Sequence, residues 1–307
     1  MMHRSLIMNS NSYFNAFILV FLAGLFWSFG AVTVRYMLDA HSYVFQYLFY
    51  RGFAIATILL IYLFLREGKS FYKIFFRIGI SSILGGIFLA TAFTGFIFSI
   101  TMTSAAVTLF MLAAMPFIAA IVGYLVLGET LRRSTLIAMT IAFIGICVMI
   151  YNDSISGSAL GAIIGFISAT GFAFYSVTIR WKPETPKFTT VVLAGILCSL
   201  FSFCVLGFSF ESFTEMPTSN SYLSLLHGLI VASGLILYTL GAKHLPSAEL
   251  TLLSLMECVG GVLWVWLPVF GINEVPSFNV IIGGIIITRA VLFHGYGASK
   301  KREPVLP

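Results

Sequence analysis

Charged residues fall along the chain at helix-sized intervals, leaving apolar runs long enough to cross a bilayer, which takes about 20 mostly apolar residues with no charge near the centre. Between Arg77 and Glu129 no charge occurs for roughly 51 residues, room for two helices broken at the polar Ser99-Ile100-Thr101-Met102-Thr103-Ser104 stretch. Further charge-free gaps run from Arg133 to Asp153, Asp153 to Arg180, Lys187 to Glu211 and Glu215 to Lys243. With the segments 15–37, 42–65, 246–270 and 276–298, the pattern predicts ten helices joined by short loops. The expectation is an all-α integral membrane protein.

Composition strengthens that reading. Of 307 residues, 59% are hydrophobic and 9% charged, and the mean hydropathy is +1.02, whereas soluble domains carry about 25% charge. No polar stretch is long enough to be a soluble domain. The net charge of +6 comes from scattered loop residues rather than one basic face, which argues against nucleic acid as a partner. Cys147, Cys198, Cys204 and Cys258 lie in apolar runs without CxxC or Cys/His spacing, so neither disulfides nor a metal are expected. The segment before residue 15 lacks a signal-peptide cleavage pattern, so the first helix is expected to stay.

Lys and Arg positions orient the helices. With the N-terminus inside, one set of loops holds fourteen basic residues, among them Arg4, Arg66, Lys69, Lys73, Arg77, Arg132, Arg133, Lys182, Lys243 and Lys300, and the other set holds only Arg35. The positive-inside rule then places both termini in the cytoplasm of a multi-pass protein of the inner (plasma) membrane.

The chain is self-similar. Ala31-Val32-Thr33-Val34-Arg35-Tyr36 matches Ser176-Val177-Thr178-Ile179-Arg180-Trp181 at an offset of 145, and Ala106 to Pro116 matches Ala248 to Cys258 at 142. Two matches at nearly one offset, each in the corresponding helix, point to duplication. The predicted organisation is a cytoplasmic segment 1–14, five-helix repeats 15–151 and 152–298, and a basic tail 299–307. Repeats with an odd number of spans insert in opposite senses, which is the inverted-topology plan of secondary transporters, with a site near the midplane.

These residues, with Gly24-Leu25-Phe26-Trp27-Ser28, Thr103-Ser104-Ala105-Ala106, Pro116 and Leu127-Gly128-Glu129, resemble the EamA-type, ten-helix branch of the drug/metabolite transporter superfamily across nearly the whole chain. The resemblance implies a central cavity and export or exchange of small metabolites, often amino acids. The second half departs from the family pattern. Glu257-Cys258 stands where a Glu-Pro pair is usual, and Gly271-Ile272-Asn273-Glu274 replaces a second Leu-Gly-Glu. Cysteine keeps the backbone N–H that proline lacks, so a break in the ninth helix is not expected.

Ionisable groups deep in a membrane helix are functional candidates. Arg51, Glu257 and Arg289 fall near predicted midplanes. Glu257 is a candidate cation or coupling-proton site and an arginine a candidate carboxylate clamp; a structural Glu257–Arg289 ion pair is the alternative. Trp27, Phe93, Met111, Met115, Phe172, Tyr175 and Tyr238 are candidate cavity walls, and Pro116 a gate hinge or static kink. His227, Trp264 and Trp266 are read as interfacial, and Glu129 as a surface partner of Arg132 and Arg133.

The expected function is alternating-access transport of a small polar or amphipathic solute, with the lipid bilayer as surroundings and no cofactor or obligatory oligomer. A membrane enzyme or a channel is the competing class. The sequence carries no HExxH, GxSxG or phosphate-cradling loop, so hydrolysis or ATP-driven pumping has no visible machinery.

Overall fold

The computed structural model describes residues 10–102, 105–151, 159–182, 184–273 and 275–300. Among these the regular structure is helical: α1 (Ser10–Arg35), α2 (Val44–Glu67), α3 (Ile80–Met102), α4 (Ala105–Leu112), α5 (Met115–Leu127), α6 (Arg133–Ile150), α7 (Ala159–Thr178), α8 (Lys187–Val205), α9 (Thr218–Gly241), α10 (Ser247–Ser254), α11 (Met256–Trp266) and α12 (Phe278–Lys300), with three short 3₁₀ segments. Eight spans are long and apolar enough to cross a membrane, and the apolar stretches Arg133–Val148 and Phe278–His294 are shorter. Of the ten expected spans, eight are shown among the described residues. The large apolar side chains Ile61, Phe64, Ile121, Leu125, Ile163 and Leu200 face outward, as a lipid-facing surface requires, while Ala, Ser and Gly bring the helices together.

Exchanging the first six helices for the last six maps the closest helix pairings onto one another, although the packing of α5 on α10 has no comparable counterpart between α11 and α4. α3 packs on α7 as α9 packs on α1, α2 lies on α9 as α8 lies on α3, and α5 lies on α7 as α11 lies on α1; α2·α8 and α6·α12 are each their own counterpart. At the α2–α8 crossing a methyl added to Gly52 would stand 2.7 Å from the carbonyl oxygen of Gly195, and one added to Gly195 would stand 2.7 Å from that of Gly52. The two backbones touch, which only glycine permits on both sides.

Two spans are interrupted at mid-depth. Between α4 and α5 the amides of Ala113 and Ala114 bond three residues back, to Phe110 (3.2 Å) and Met111 (3.1 Å), and Pro116 follows with no donor of its own. Between α10 and α11 the same tightening occurs without a proline: Leu255 bonds Leu252 at 3.2 Å and Cys258 bonds Leu255 at 3.1 Å. Cys258 brings no proline break, yet the span is interrupted all the same. The Cys258 N–H is present, but it serves the carbonyl three residues back rather than four, so a 3₁₀ turn does what proline does in the first half.

The Leu127-Gly128-Glu129 motif has a physical role at the end of α5. Gly128 adopts φ 67°, and its amide bonds Tyr124 while that of Glu129 bonds Gly123, the Schellman arrangement that ends a helix and reverses the chain. The reversal turns the Glu129 carboxylate back over the end of the bundle.

Candidate functional site

A cavity of about 560 Å³ lies between the two sets of helices. It begins beside Arg35, Ile100 and the Val275-Pro276 segment and descends to Trp27, Phe172 and Met115 near the two helix interruptions. Its wall is mostly apolar with a few polar groups, the usual make-up of a small-molecule site.

Arg51 is the principal charge in that wall. α2 carries it inward, only 6% exposed, where Nε and Nη1 have no hydrogen-bond partner and the guanidinium lies 4.8 Å from the centre of the Phe93 ring. A buried donor without a partner costs about 1–3 kcal/mol, so the protein holds this fork in place without satisfying it. Glu257, in the first turn of α11, lines the same cavity, and no ion pair joins the two among the described residues. His227 is buried, accepts or donates a hydrogen bond at Nδ1 with the Tyr47 hydroxyl, and reaches the cavity beside Gly30, where a methyl group would stand 2.7 Å from Nε2. Its expected interfacial position is corrected: α9 turns it inward. Ser28, Ser168 and Ser254 add hydroxyls to the lining.

The floor is aromatic. Trp27 meets Phe172 edge-on at 5.6 Å and Tyr238 at 5.4 Å, and its indole N–H donates to the Val231 carbonyl at 3.2 Å. Beneath it Tyr175 and Tyr238 stack at 6.0 Å; the Tyr238 hydroxyl pairs with Ser176 at 2.6 Å, and that of Tyr175 with Thr239 at 3.3 Å. Below this layer the far end of the bundle is closed by Arg180, whose Nε pairs with Glu129 and whose Nη1 donates to the carbonyls of Ala242 (2.7 Å) and Leu245. The second Glu129 oxygen accepts the Ser247 amide at 2.9 Å. Glu129 therefore bonds across the bundle, not along the surface to Arg132 and Arg133.

Of the residues singled out in the sequence, Trp27, Arg51, Phe93, Met115, Phe172 and Glu257 line the cavity. Tyr175 and Tyr238 form the layer under its floor. Pro116 is buried beside the α4–α5 interruption, and Met111 packs toward Gly165 on α7; neither is part of the lining. Arg289 lies on the exposed face of α12, so the structure does not bring it to Glu257: thirteen residues into a helix is deep only if that face turns inward. Trp264 is not interfacial either, since it donates to Ser28 at 2.8 Å and stacks on Phe29 at 4.6 Å. Trp266 is 38% exposed.

Residues 14–151 match the EamA-like transporter family. That stretch, a little under half of the chain, is similar to EamA-like transporters. A solved crystal structure shares the fold of the EamA-like chain at a TM-score of 0.67 and 18% identity, covering 91% of this chain and 97% of the other. No curated protein matches the sequence. The matched stretch is similar to a family of transporters, and the long apolar helices make the chain a multi-pass membrane protein.

Proposed function

We propose that the protein is a secondary transporter that moves a small amphipathic solute bearing a carboxylate, an amino acid or a related compound, by export or exchange across the inner membrane, with both termini cytoplasmic. The observation that carries this reading is Arg51, a buried guanidinium with two unpartnered nitrogens facing a cavity of metabolite size. A planar fork binds a carboxylate through two parallel bonds, and Glu257 at the same cavity is placed to receive the ammonium of a zwitterion. Trp27, Phe93, Met115 and Phe172 supply the apolar wall for the rest of the solute.

Alternating access follows from two five-helix halves inserted in opposite senses, a plan supported by the corresponding helix pairings and the matching interruptions. The cavity is open past Arg35, while the end holding Glu129 and Arg180 is closed. Rocking of one half against the other exchanges those conditions around the Arg51–Glu257 level.

The test is uptake and counterflow in proteoliposomes against amino acids, organic cations and nucleosides, with and without a pH gradient. Saturable exchange of a carboxylate-bearing solute that weakens in both Arg51→Lys and Glu257→Gln is the expected result. Exchange of organic cations alone, untouched by Arg51→Lys, would refute the carboxylate assignment, and unidirectional flux without counterflow would favour a channel.

A further inference from the structure

Away from the cavity, the closed end of the bundle holds a second group of buried ionisable side chains. Glu249 on α10 and His294 on α12 are 1% and 0% exposed. Glu249 Oε2 accepts the Tyr13 hydroxyl of α1 at 2.5 Å, and Oε1 accepts the Thr135 hydroxyl of α6 at 3.1 Å. His294 Nε2 lies 3.3 Å from Glu249 Oε2 and 3.3 Å from the Tyr13 oxygen. Three donors converging on one carboxylate is the arrangement of an ionised acid beside a ring carrying its hydrogen on Nε2. The other ring nitrogen, Nδ1, is buried and has no partner.

The charge balance turns on that nitrogen. With Nδ1 bare, the buried carboxylate has only hydroxyl and neutral ring donors in contact with it, and the nearest cation, Arg132, lies over the Tyr13 ring rather than on the carboxylate. With a proton on Nδ1 the ring is an imidazolium, and the pair with Glu249 is neutral. The other charged or titratable groups facing it are few. Arg132, on the segment leading to α6, lies 5.7 Å over the Tyr13 ring; from α5 and the end of α7 the Glu129–Arg180 pair reaches the Ser247 amide, two residues before Glu249; Glu257 of α11 belongs to the cavity on the other side of the helix interruption.

We propose that Nδ1 of His294, paired through Nε2 with Glu249, is a proton-binding site separate from the solute cavity, and that its proton holds the Arg180 end of the bundle shut. The inference rests on the alternating-access reading. α10 is tied through Glu249 to α1, α6 and α12, and through Ser247 to Glu129, so this end opens only when those ties release. Protonation neutralises the buried pair and favours the closed arrangement. Loss of the proton leaves an anion that gains by meeting water, and opening provides that water. A falling pH on this side therefore shuts the end, and a rising pH frees it.

The experiment needs no solute. In protein with its four cysteines replaced, spin labels at Leu131 and Lys243 report the width of this end by pulsed electron-resonance distances from about pH 5 to about pH 9. The wild-type separation is expected to grow with pH as a single-proton transition. His294→Gln abolishes the transition, Tyr13→Phe moves its midpoint up by about one unit because the carboxylate then leans harder on the imidazolium, and Glu257→Gln leaves it in place. A transition that survives His294→Gln, disappears only in Glu257→Gln, or is absent from the wild type overturns the proposal. Counterflow measured separately keeps a failure here distinct from a failure of the transport reading.

Discussion

Arg51 shows a stability cost placed at a site. Its guanidinium is buried with two nitrogens unpartnered, and nothing in the fold needs it there. Arg51→Met is expected to raise stability by about 1–3 kcal/mol, since an unsatisfied buried donor is removed, while lowering kcat/KM at least tenfold; thermal unfolding in detergent and counterflow check the two halves of that prediction. A variant both less stable and inactive would show a structural arginine instead. The sequence made this residue visible, because a lone arginine in an apolar run stands out. It did not separate Arg51 from Arg289, because both sit deep in apolar runs and only packing decides which face turns inward. His227 was misread for the same reason: nine residues into α9 it lies near the predicted end, and its burial comes from Tyr47 of α2 and from α1, where Gly30 has no side chain and the ring packs against its backbone.

At the scale of elements, the helix interruptions and the close crossings position the site. Gly228 of α9 lies against the Arg51 turn of α2, where an added methyl would stand 2.5 Å from the Ala54 Cβ and 2.7 Å from the Arg51 carbonyl. Gly228→Ala should cost about 1–3 kcal/mol through overpacking and should weaken solute affinity by displacing Arg51, whereas Gly207→Ala, in open space but at φ 65°, should cost stability alone. At the opposite end, Arg180→Met removes three bonds that tie α7 to Glu129 and to the α9–α10 turn. Maleimide labelling of Leu245→Cys, which is otherwise fully buried, is expected to accelerate about tenfold, corresponding to about 1.4 kcal/mol. Unchanged labelling would mean the aromatic layer alone seals this end. The α5 break was legible from Pro116, but the α10 break was not, because a 3₁₀ turn around an ordinary Leu255 leaves no sequence mark.

At the scale of the whole molecule, the all-helical membrane class was legible in the sequence, because hydropathy is a one-dimensional signal. The sequence could not show which end of the bundle is shut, since that depends on loops and on partners far apart in sequence. Gly52 and Gly195, 143 positions apart, occupy one of the two crossings that the exchange of halves maps onto itself, the other being α6 on α12. Where two backbones touch, sliding is blocked and turning is not, so this crossing acts as a fulcrum. In the rocking proposed above, contacts away from this crossing are points on a lever arm, and a slight turn at the fulcrum widens one mouth as it narrows the other. The two apertures are then a single mechanical coordinate, and no message has to travel through the protein for one to know the state of the other.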